Sequence, residues 1–182
     1  MPLIYTTSYV EDVVSLFRMY QRLSEKAMAQ TTDEQLLIQI DPEANSIALI
    51  VKHIAGNLRS RWTDFLTSDG EKPNRDRDGE FLDPPATREE LMKMWNEGWA
   101  CVYSACQNLT DADLTRTVTI RGEAHAVVQA LNRSVTHCAY HCGQIVMLAK
   151  HFQGEQWKSI SVPRGKSKEF VERVRKGEAS QR

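Results

Sequence analysis

The chain has 182 residues, with 23 Lys plus Arg against 24 Asp plus Glu and a formal net charge of -1. At 41% hydrophobic and 26% charged, the composition is that of an ordinary globular protein. The balanced charge lacks the electrostatic footprint of a nucleic-acid binder, and no apolar run nears the roughly 20 residues of a membrane span. The segment MPLIYTTSYVEDVV lacks the basic-then-apolar plan of a signal peptide. Four cysteines do not make a secreted disulfide framework. These features predict a cytoplasmic protein with reduced thiols and with neither a nucleic-acid nor a membrane partner. The length fits one domain, 1–182, with a core large enough to need no staples.

Four stretches carry the 3.6-residue apolar period of amphipathic helices. The first runs over about 9–29, with Val13, Val14, Leu16, Phe17, Tyr20 and Leu23 on one face and Thr6, Thr7 or Ser8 as its cap. The second covers about 44–66. Asp41-Pro42 is its entry signal, and its stripe is Ile47, Ile50, Val51, Ile54, Leu58, Trp62 and Phe65. Between the second and third helices, 67–86 is polar, charged and rich in Gly and Pro. A loop of about 20 residues is longer than a bundle needs, and such loops are functional or disordered.

The third helix runs over about 88–109, started by a Thr87–Glu90 capping box and blocked upstream by Pro84-Pro85. Thr117–Arg121 alternates like a short strand and Gly122 follows, which suits a small hairpin or an extended crossover. The fourth helix covers about 126–152 and ends at Gly154. After it comes an extension, 153–182, with a basic end at Arg173, Arg175 and Lys176. Four long helices with two long connections predict an all-α four-helix bundle over about 9–152.

Chemistry concentrates on three of the five histidines. His137 and His141 are four apart on the fourth helix, which sets their side chains about 40° apart with a rise of about 6 Å. Two imidazoles so placed can converge on one ion. The seam Val127, Leu131, Cys138, Ile145, Leu148 and Phe152 puts His141 inside the core face and His137 at its edge. His53 flanks the seam of the second helix and can supply a third nitrogen. Three protein ligands with open positions form the layout of a catalytic metal site, and histidine ligation suits zinc, nickel, copper or iron. The competing reading is three hydrogen-bonded helix histidines.

Around the trio, Asn57 lies one turn beyond His53, and Gln144 shares the face of His137 and His141; both are candidates to orient ligands or touch substrate. Arg59 and Arg61, and Lys72, Arg75 and Arg77 in the long loop, are candidates to meet an anionic substrate. His125 and His151 lie at the ends of the fourth helix, where His151 suits the helix dipole. Cys138 and Cys142, each one residue past a histidine, point about 100° away from the His pair. With Cys101 and Cys106, they read as small apolar core residues. No carboxylate stands out near the histidines, so no catalytic acid or base is named.

IALIVKHIAGNLRSRW and HCAYHCGQIVMLAKHF resemble the DinB-like family, which has one His on its second helix and an HxxxH, often followed by Gly-Gln, on its fourth. His53, His137, His141 and Gly143-Gln144 match. The segments TSDGEKPNRDRDGEF and SVPRGKSKEF look like an uncharacterised bacterial subgroup. The resemblance implies an up-down-down-up bundle, a homodimer, and one divalent metal ion, zinc or nickel, on the three histidines. It also implies a metal-dependent transferase that joins a low-molecular-weight thiol to an electrophile. The alternatives are a metal-dependent hydrolase, a metal-binding stress-associated module without turnover, or structural histidines in a bundle that only mediates association.

Overall fold

The computed structural model describes residues 8–180. It is mostly helical: α1 (Tyr9–Met28), α2 (Asp33–Leu37), α3 (Ile47–Trp62), α4 (Arg88–Cys106), α5 (Val127–Gln153) and α6 (Ser167–Arg175), with one antiparallel hairpin, β1 (Thr117–Ile120) and β2 (Glu123–Ala126). The predicted long helices are α1, α3, α4 and α5. They pack as a ring, α1 on α5, α5 on α3, α3 on α4 and α4 on α1. The centre is filled by Phe17, Ile54, Leu58, Trp95, Trp99, Leu131 and Ile145. Gly98 lets α4 approach α3 closely, because a Cβ there would meet the Ala55 backbone.

Helix ends follow local chemistry. Ser8 accepts from the Glu11 N–H, and Thr6 and Thr7 lie outside the described residues. The α3 cap is Ser46, which accepts from Leu49, rather than the Asp41-Pro42 expected from sequence. Pro presets the backbone for a helix start, but a side-chain acceptor satisfies an otherwise unpaired N–H. The capping box at α4 forms in half: Thr87 accepts from Glu90 N–H, while the Glu90 carboxylate takes the N–H of Ala86. Gly154 ends α5 with a φ of 52°, in the region that favours glycine. Two short helices, α2 and α6, lie in segments without a predicted element. In the C-terminal extension, Trp157 and Ile160 pack against the core, whereas α6 buries no residue.

The segment 67–86 is an ordered structure. Gly70 N–H donates to the Thr119 carbonyl on β1 at 2.7 Å. Ser60 Oγ donates to the Gly70 carbonyl and accepts from Lys72 N–H. The Asp69 carboxylate accepts from the N–H groups of Glu71, Arg121 and Gly122. These backbone hydrogen bonds hold its carboxyl down at about 2. A lowered folded pKa contributes docking that is complete above the ordinary aspartate range and lost as pH falls through the folded value. Amide protection at Gly70 and Gly122 is therefore expected to fall between about pH 4 and about pH 2, ahead of the helical core. Hydrogen exchange checks this; an identical pH profile in Asp69→Asn would exclude Asp69 as its cause.

Candidate metal centre

His53 sits on the core side of α3, 4% exposed, and His141 sits on α5, 8% exposed. His137, one turn earlier on α5, is half-buried at the core edge. Packing of α3 on α5 adds the third imidazole to the pair that helical spacing aligned. One ligand nitrogen from each ring lies within 4.8 Å of the others, so the group could hold a metal ion. His53 Nε2 and His137 Nε2 are 3.1 Å apart.

The other ring nitrogens indicate which atoms are free. His53 Nδ1 lies 2.8 Å from Glu80 Oε2, and His141 Nδ1 lies 2.7 Å from Gln144 Oε1. Both oxygens accept, so each Nδ1–H donates and each Nε2 keeps its lone pair. Burial, reinforced by His141 and His53, pushes His137 down to about 3. Burial also lowers His141, against the hydrogen bond that its Nδ1–H donates to Gln144. Neutral imidazoles are the form that binds metal. Two unprotonated nitrogens 3.1 Å apart repel unless a cation or a proton lies between them, and His137 Nδ1 is buried without a hydrogen-bond partner. Nitrogens about 2.0–2.1 Å from a common zinc-sized ion stand about 3.0–3.4 Å apart. The residues therefore fit a divalent ion.

A carboxylate does stand beside the histidines, contrary to the sequence reading. Glu80, 6% exposed in a 3₁₀ turn of the long loop, contacts His53 from 27 residues away. Its oxygens also accept from Arg75 Nε and Nη2, both at 2.8 Å. Burial raises the Glu80 pKa, but the hydrogen bonds from His53 and Arg75 and the Arg75 charge prevail and hold it below the usual range. Phe81 stacks on the His53 ring at 4.6 Å. Lys52 clamps the turn by donating to the carbonyls of Gly79, Leu82 and Asp83. Gly56 makes room, since a Cβ there would collide with the Glu80 carboxylate. No local signal in the sequence identifies Glu80; the loop's path alone brings it in.

A cavity of about 380 Å³ opens against His53 and His137. Trp62, Phe65, Val118, Ile120 and Ala130 give it apolar walls, and Asn57, Arg61, Arg77, Arg121, Arg133 and Tyr140 give it polar ones. The predicted neighbours thus divide. Gln144 fixes His141 and Asn57 faces the cavity, as does Arg61. Arg59 instead pairs with Glu97 at the surface. Of the loop cations, Arg77 lines the cavity, whereas Arg75 is committed to Glu80 and Glu71, and Lys72 donates to the Asp69 carbonyl. Arg121 and Arg133 were not singled out from sequence.

His125 lies on β2 and His151 in the exposed last turn of α5, and neither joins the trio. All four cysteines are free; Cys106, Cys138 and Cys142 are buried, and burial pushes the Cys106 and Cys138 thiols up to about 12. Among the described residues, no helix is long and apolar enough to cross a membrane.

Comparison with known proteins agrees with this architecture. The sequence profile of the family described as "Protein of unknown function (DUF1572)" matches residues 5–166. No curated protein matches the chain. Among solved structures, the chain is similar to a DinB-like protein from Bacillus cereus ATCC 10987, with 20% identity and a TM-score of 0.62. The match covers 78% of this chain and 91% of that one. The fold it shares is DinB-like, and by its sequence the chain belongs to the DUF1572 family, a DinB-like family.

Proposed function

We propose that this protein is a metal-dependent transferase that joins a low-molecular-weight thiol to a small electrophile, with one divalent ion, zinc or nickel, held by His53, His137 and His141. The observation that carries the reading is the trio beside a cavity, with one ring nitrogen of each histidine within 4.8 Å of the others and two of its Nδ1 atoms tied off. A divalent ion, when bound, lowers the pKa of a thiol that reaches it.

The chain's own residues supply the rest. Glu80 and Gln144 fix the rotation and tautomer of their histidines. Phe81 covers the His53 ring, and Trp62, Phe65 and Ile120 offer an apolar surface to the electrophile. Among the described residues no cysteine lines the cavity, and burial raises the thiols of Cys106, Cys138 and Cys142, so in this reading the nucleophile comes from outside. In the transfer, the thiol sulfur forms a bond to the electrophilic carbon, its proton leaves to solvent, and the leaving group takes the bonding electron pair.

Thiol transfer is preferred to hydrolysis for one reason. Among the described residues no carboxylate lines the cavity, and Glu80 is engaged with His53 and Arg75. A protein base for an attacking water would stand within hydrogen-bond reach of it, whereas a thiol, far more acidic than water, needs only the ion to become a thiolate. The same proposal takes 1–182 as one cytoplasmic domain, with its long helices in up-down-down-up order and two copies forming a homodimer. The test is conjugation of free cysteine to 1-chloro-2,4-dinitrobenzene by zinc-loaded protein. Turnover that requires thiol, and is lost in His137→Ala, is expected. Release of chloride at the same rate without thiol would establish the hydrolase instead.

A further inference from the structure

The cavity's charge is lopsided. Among the described residues four arginines line it, Arg61, Arg77, Arg121 and Arg133, and no Asp or Glu does, in a chain whose formal net charge is -1. Two of the four are partly neutralised from behind: Glu71 accepts from Arg61 and from Arg121, each at 3.0 Å. Arg61 is only 11% exposed and also donates to the Gly70 carbonyl, so its direction is set by the loop. Among the described residues, no carboxylate lies within ion-pair distance of Arg77 or Arg133. These two come from different elements, the long loop and α5, and meet at one cavity only because the loop is ordered across α3.

Like charges gathered around a concave, partly apolar surface repel, and an anion relieves that repulsion. Guanidinium groups bind carboxylate or phosphate by charge-assisted hydrogen bonds, often in pairs. A volume of about 380 Å³ lies at the small end of ligand sites, about 300–1,000 Å³, and suits a small molecule. The apolar walls meanwhile suit a carbon skeleton between the charge and the histidines.

We propose that the cavity is a binding site for a small organic anion, carboxylate- or phosphate-bearing, whose charge is held by Arg77 and Arg133 and whose uncharged part lies on Trp62, Phe65 and Ile120. This deepens the transferase reading by naming the charge class of its substrate, and it rests on that reading only for the direction in which the ligand enters. Arg77 and Arg133 are exposed, and among the described residues neither makes an ion pair, so their replacement is expected to leave the fold intact.

The test is isothermal titration of the full chain with phenyl phosphate and with benzylsuccinate, against benzyl alcohol as the uncharged probe. It uses wild type, Arg77→Gln, Arg133→Gln and the double variant, each with and without zinc. Binding of one or both anions, at least about tenfold tighter than benzyl alcohol and weakened about tenfold in each single variant, is expected. Preference for one anion identifies the headgroup. Arginine-dependent binding that persists without zinc supports the anion site even if the metal reading fails. Equal affinity for anion and alcohol, or anion binding unchanged in the double variant, overturns the proposal.

Discussion

Alanine at His53, His137 or His141 is expected to abolish metal uptake by the chain. Mass spectrometry on untagged protein should find near-stoichiometric zinc or nickel in the wild type and almost none in each variant, because two imidazoles rarely hold an ion that needs three protein ligands. The ion should also stabilise the fold. Binding to the native state alone contributes about 4 kcal/mol when free metal is a thousand times its Kd, and for a chain of this size that raises Tm by roughly 8–16 °C. Chelation should remove that increment from the wild type and leave His137→Ala unmoved. His137 is the decisive position, since its Nδ1 is already buried without a partner among the described residues and its replacement leaves the His53–Glu80 and His141–Gln144 contacts in place. Wild-type protein that takes up neither metal would return the histidines to the core as packing residues.

Replacement of Glu80 has the second-largest expected effect, through two separable routes. Glu80→Ala takes the acceptor from His53 Nδ1, and loss of such an orienting group lowers metal affinity about 10- to 100-fold. It also leaves Arg75, 4% exposed, with only Glu71 at 3.4 Å. Removing one partner of a buried ion pair costs about 3–5 kcal/mol, and the remaining Glu71 places this case near the lower end, about 3 kcal/mol. Glu80→Gln separates the routes, because its amide oxygen still accepts from His53 while the charge that meets Arg75 is gone. Metal affinity near wild type in Glu80→Gln, together with reduced denaturant stability, is expected. If Glu80→Ala binds metal as tightly as wild type, Glu80 serves the loop alone.

The division between local and tertiary information runs through particular residues. His137, His141 and Gln144 were legible in the sequence because all three lie on one helix, and a 3.6-residue period sets their mutual direction before any packing occurs. Caps at Ser8, Thr87 and Gly154 were legible for the same reason, since each acts on N–H or C=O groups within a few residues. His53 was a candidate by its place beside an apolar stripe, but only the contact of α3 with α5 brought its Nε2 to 3.1 Å from His137. The helix α2 is five residues long, too short to display an apolar period, and α6 has no buried face to announce it.

The loop 67–86 was read correctly as an exceptional feature and incorrectly in its parts. Arg75 read as a cation available to substrate, and it is instead the partner that keeps Glu80 ionised beside His53. Nothing in the local sequence separates it from Arg77, two residues on, which does face the cavity. That choice depends on where Lys52, Ser60 and Asp69 pin the loop and on the room left by Gly56. All of these contacts join residues distant in sequence. The sequence by itself therefore determined the four long helices, their apolar faces and the histidine pair, because these follow from short-range periodicity. Tertiary structure alone decided the third histidine's approach, the buried carboxylate behind it and the arginines around the cavity, because helix packing and a loop's course are set by long-range contacts that no period encodes.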